Sequence, residues 1–76
     1  MNAMTIKELI EKLRKEYGAD NGCYYVLQNF VQNIERYNNY ESAYGFVYGL
    51  HAVNYINEKE LTMLTNELLE MWKQRA

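Results

Sequence analysis

The stretch Ser42–Ile56, S-A-Y-G-F-V-Y-G-L-H-A-V-N-Y-I, decides the fold. Wound at about 100° per residue, its side chains sort into three sectors. Ala43, Phe46, Val47, Leu50 and Val53 make one large apolar face. Gly45, Gly49 and Ala52 make a second, almost bare of side chain. Tyr44, Tyr48, His51 and Tyr55 make a third, aromatic with polar tips. No charged residue interrupts the stretch. Such a helix belongs at the centre of a bundle or at an interface, not on an ordinary wet surface. Alternation of period two is absent here and in Tyr24–Val31, so both segments read as helix rather than strand.

Working outward, the Asn57-Glu58-Lys59-Glu60 that follows opens the next helix. Ile56, Asn57 and Glu60 repeat the chemistry of Met4, Thr5 and Glu8: a hydrophobic staple, an N-cap, and a glutamate three positions on. Each cap side chain can accept from the glutamate's backbone N–H, and each glutamate can reach back to the cap's own N–H. The first helix then runs to about Tyr17, with Ile6, Leu9, Ile10, Leu13 and Tyr17 on one stripe. Gly18 supplies a left-handed end, and 18–22 reads as a loop. A second helix starts near Asp20 or Asn21 and runs to about Tyr37, its stripe being Cys23, Leu27, Phe30, Val31, Ile34 and Tyr37. Asn38-Asn39-Tyr40-Glu41 reads as the next break. In the last helix Leu61, Leu64, Leu68, Met71 and Trp72 fall on one arc, with Glu60, Asn66, Glu67, Glu70 and Lys73 outside.

The prediction is therefore an all-α, four-helix bundle over 5–17, 21–37, 42–54 and 58–74. The last two helices form an αα-hairpin through Asn54-Tyr55-Ile56-Asn57. The third helix is its expected hub. Seventy-six residues, 49% of them hydrophobic, support one domain with one core. Met1-Asn2-Ala3 reads as an extension, appended or disordered, ahead of a start at Met4.

Composition narrows the chemistry. The single cysteine, Cys23, cannot make an internal disulfide or by itself a structural zinc site. No window approaches the roughly 20 apolar residues of a membrane span, and no signal pattern opens the chain, so a cytoplasmic setting is expected. Net charge is −2. Residues 1–38 hold five basic and five acidic side chains, and residues 39–76 three and five. Neither half makes the basic field that nucleic-acid binding requires.

Catalytic candidates are few. His51, the lone histidine, has Tyr44, Tyr48 and Tyr55 as helical neighbours and no carboxylate among them. Cys23 sits on an apolar stripe and reads as a small hydrophobe. No glycine pattern cradles a phosphate. Neither an enzyme nor a cofactor is expected.

Two features remain. Gly45 and Gly49, with Ala52, have the spacing of closely packed helices, against a helix either of the same chain or of another subunit. Tyr44, Tyr48, His51 and Tyr55 form a ridge in a chain with eight tyrosines, and tyrosine suits interfaces. The expected function is a non-enzymatic interaction module, a small accessory or regulatory protein. It would homodimerise or bind a protein partner through the second and third helices, the second adding an amide-rich surface. The alternative is a helix-turn-helix DNA-binding regulator, which short turns between helices favour and the charge does not.

Overall fold

A computed structural model describes residues 4–76, with the backbone alone at 19–21. The reading of residues 1–3 lies outside the described residues. Four helices follow one another: α1 (Ile6–Asn21), α2 (Cys23–Gln32), α3 (Tyr37–Ala52) and α4 (Glu58–Arg75). No strand occurs among the described residues, and the all-α reading stands.

Both predicted helix starts are built as two reciprocal hydrogen bonds. The Glu8 amide donates to Thr5 Oγ1 at 3.1 Å, and the Thr5 amide to Glu8 Oε1 at 2.9 Å. At α4 the pair is Glu60 N–H to Asn57 Oδ1 and Asn57 N–H to Glu60 Oε1, both 2.8 Å. Each reciprocal pair satisfies two amides that would otherwise lack partners. Gly18 adopts φ 69°, ψ −172°, a backbone region that essentially only glycine visits. The chain there kinks instead of stopping, and a further helical turn reaches Asn21 before Gly22 (φ 73°) reverses it. The expected loop at 18–22 is thus mostly helical, and α2 begins at Cys23.

The boundary between α2 and α3 is displaced from the expected one. Helix α2 stops at Gln32, and Asn38-Asn39-Tyr40-Glu41, expected as the break, lies inside α3. Three side chains explain the shift. The Asn33 amide group donates to Asn29 O at 3.1 Å, and that of Asn39 donates to Asn33 O at 2.9 Å. From the far end of α4, one Arg75 guanidinium nitrogen donates to both Val31 O and Gln32 O at 3.1 Å. A cation on the last carbonyls of a helix meets the negative end of its dipole and takes up acceptors left without amides. Ile34, in the intervening turn, is fully buried and plugs the core.

The core is Ile6, Leu9 and Leu13 of α1, Leu27 of α2, Ala43 and Val47 of α3, and Leu61, Leu64 and Leu68 of α4, closed by Ile34 and Ile56. Helix α1 packs on α2, α2 on α3, α3 on α4, and α1 more lightly on α4. Glu67, expected on the outer face of α4, joins that last pair: its Oε1 accepts from the Ile6 amide at 2.7 Å. The carboxylate meets the positive end of the α1 dipole.

Helix α3, the expected hub, packs on both of its chain neighbours, α2 and α4. The molecule measures 31 × 29 × 20 Å, and about 20 Å is the thickness of two helices side by side. Every helix therefore keeps an open side. For α3 this includes Val53, assigned to the apolar face but 71% exposed because the helix has ended before it.

That ending is a Schellman motif. Asn54 takes φ 65°, its amide donates to His51 O at 2.9 Å, and the Tyr55 amide donates to Leu50 O at 2.8 Å. Asparagine tolerates the left-handed region, but glycine does so without a Cβ. Asn54→Gly is therefore expected to stabilise the fold by about 0.5 kcal/mol, raising the melting midpoint by a few degrees. A lowered midpoint would show that the asparagine side chain contributes more than its conformation.

Candidate interaction surface

The residues singled out along 44–55 divide between two places. Helix α3 carries Tyr37, Tyr40, Tyr44 and Tyr48 at spacings of three, four and four. Their rings form a continuous ladder with centroid separations of 6.0, 6.0 and 5.1 Å. Trp72 of α4 stands behind it, stacked on Tyr40 at 5.3 Å and edge-on to Tyr37 at 5.7 Å. Such ring pairs each add about 0.5–1.5 kcal/mol beyond the area they bury. The ladder grows outward from the α3–α4 contact: Tyr40 and Trp72 are half-buried, whereas Tyr37 and Tyr48 are exposed. The Trp72 indole N–H is buried and meets no acceptor among the described residues.

Tyr55 leaves the ridge. The left-handed residue at Asn54 turns it away from Tyr44 and Tyr48 and onto α1. There its hydroxyl donates to Glu16 at 2.6 Å, its ring lies 6.1 Å from that of Tyr17, and Lys12 Nζ sits 4.7 Å above it. Burial, with the Glu16 hydrogen bond next, pushes the Tyr55 hydroxyl well above the ordinary tyrosine range. The folded state therefore holds this proton where the unfolded chain has lost it. The stability it contributes is complete below about pH 10 and declines as pH rises beyond that. Tyr55→Phe is expected to show a smaller fall in urea midpoint between pH 9 and pH 11 than the parent chain. An unchanged fall would remove Tyr55 as its source. His51 is half-buried on the last turn of α3.

The glycine sector lies beside the ladder. Gly45, Gly49 and Ala52 are exposed. A Cβ built on either glycine would meet no described atom within 4 Å beyond its own stretch of helix. The expectation that a helix of the same chain packs there is not met. Tyr44 and Tyr48 border this bare strip. The neighbouring Tyr48 side chain, with burial a lesser cause, raises the Tyr44 hydroxyl above the ordinary tyrosine range.

Helix α2 presents Tyr25, Asn29 and Gln32 to solvent, with Arg36 exposed in the turn beyond it. Among the described residues no group of three His, Cys, Asp or Glu side chains is placed to hold a metal ion. None of the described helices is long and apolar enough to cross a membrane. The chain matches no family model, no curated protein and no solved structure.

The sequence missed two members of this surface. Tyr37 was assigned to the core stripe of α2, and Tyr40 to a loop. Their signal was present as the spacing 37, 40, 44, 48, which becomes a ladder once α3 starts at Tyr37 rather than at Ser42.

Proposed function

We propose that this chain is a non-enzymatic protein-interaction module. It docks a helix of a protein partner, either another protein or a second copy of itself, against the open face of α3. The observation that carries this reading is the pair of glycines one turn apart inside α3 with none of the described residues over them. Each costs about 1 kcal/mol against alanine within a helix. Such a strip lets a second backbone approach closely. Tyr44, Tyr48 and Val53 beside it supply exposed or half-exposed apolar area without charge, and the amides of α2 can extend the contact. An accessory or regulatory role in the cytoplasm fits this reading.

Light-scattering mass against concentration tests the self-association form, and capture from the native host tests the other. In whichever complex forms, Tyr48→Ala is expected to weaken binding at least about tenfold, because exposed tyrosines at interface centres carry energies of that order. With 46% of its surface open, its loss leaves the melting midpoint within a few degrees. A persistent monomer that captures nothing would overturn the reading. So would a DNA shift in a low-salt electrophoretic titration. Against that outcome, α4 carries four glutamates beside Lys59, Lys73 and Arg75.

A further inference from the structure

The ladder does not close on itself. Between the rings of Tyr37, Tyr40 and Tyr44 lies an open cleft of about 380 Å³, completed by Glu41 and by bare Gly45. Three electron-rich rings and one carboxylate line it, and none of the described lysines or arginines does. The order of residues makes this geometry. Tyr37, Glu41 and Gly45 succeed one another at intervals of four, so a ring, a carboxylate and a gap run along one edge of α3. Tyr40 and Tyr44 rise beside them. Trp72 stacks on Tyr40 from α4 and fixes that ring from behind. Gly45 matters because any larger side chain would project into the space, which is empty to 4 Å around its Cβ position.

Charge decides what suits the cleft. The face of an aromatic ring attracts a cation within about 6 Å of its centroid, most strongly where several faces converge. Glu41 adds a formal negative charge at the rim. It lies close enough to the Tyr37 hydroxyl to raise that group above its ordinary value, chiefly through its charge. An anion would be repelled, and a purely apolar group would leave the carboxylate without gain.

We propose that the cleft of Tyr37, Tyr40, Glu41 and Tyr44 receives a basic side chain, lysine or arginine, of the protein docked on α3. The inference rests on the interaction reading and adds to it the chemistry of the partner. The cationic head lies against the rings with its charge toward Glu41, and its aliphatic stem runs across Gly45.

The test uses the whole chain and four small probes. They are the N-acetyl methylamides of arginine and lysine, that of norleucine as a neutral control of similar length, and phosphocholine. Binding is followed by Trp72 fluorescence and by the ring signals of Tyr37, Tyr40 and Tyr44. The arginine and lysine derivatives are expected to shift these signals saturably in the millimolar range, and norleucine not to. Glu41→Gln and Tyr44→Leu, both at exposed or half-exposed positions, should each weaken the response about two- to fivefold. Their helicity and melting midpoints report separately that the fold is intact. Equal response to norleucine, or none to the cations, overturns the cleft whatever the solution mass shows. Preferential binding of phosphocholine overturns its assignment to a protein side chain. A chain that binds the cationic probes but remains monomeric and captures nothing retains its cation cleft and loses the interaction reading, so the two failures are distinguishable.

Discussion

Replacing Ile34 with alanine is expected to destabilise the fold by about 2–5 kcal/mol. The residue lies outside helix, between Gln32 and Tyr37, and yet has no solvent-exposed surface. Truncation removes its transfer free energy and leaves a cavity among Leu27, Val47 and the other core side chains. A domain of this size has roughly 4–11 kcal/mol in total, so the variant should melt at least about 10 °C lower. A change under about 1 kcal/mol would mean that the turn collapses onto the space and that Ile34 is not a structural plug.

Gly49→Leu is expected to act in opposite directions on the monomer and on the complex. Within the chain a leucine meets open space, and exchanging glycine for a good helix former stabilises α3 by about 0.5–1 kcal/mol. Across a close helix–helix contact the same side chain overpacks by about 1–3 kcal/mol. In a symmetric dimer both copies carry it, so association should weaken by about thirtyfold or more. Thermal melting at low concentration reads the first effect, and light-scattering mass or partner titration reads the second. A variant that is more stable and binds as well as the parent would show that the glycine strip faces only water.

The parts of the fold legible in the sequence were those governed by neighbours a few residues apart. Thr5 with Glu8 and Asn57 with Glu60 are closed systems of four residues, and both form as their order dictates. The stripes Ile6–Leu9–Leu13 and Leu61–Leu64–Leu68 need only the helical period. The α2–α3 boundary obeys a longer rule. Ile34 satisfies the spacing of a helical stripe and the burial of a turn plug equally well, so periodicity carries α2 past its true end. The side chains that close its end are Asn33, Asn39 and, more than 40 residues away, Arg75. The candidate surface divides similarly. Its residue types were evident, but their grouping depended on where α3 starts and on the left-handed Asn54 that sends Tyr55 to Glu16. Which flank of α3 lies open depended on a bundle only two helices thick.

The contact of Arg75 with the carbonyls of Val31 and Gln32 makes the end of α4 a latch on another element. Final turns of helices open readily, at little free energy. Here such opening uncovers the last acceptors of α2 and loosens the turn from which Tyr37 enters α3. Amide exchange at Asn33–Arg36 should then follow that of Lys73–Arg75 instead of the slower exchange of the core beside it. The approach to the aromatic cleft is thereby tied to a residue that takes no part in lining it.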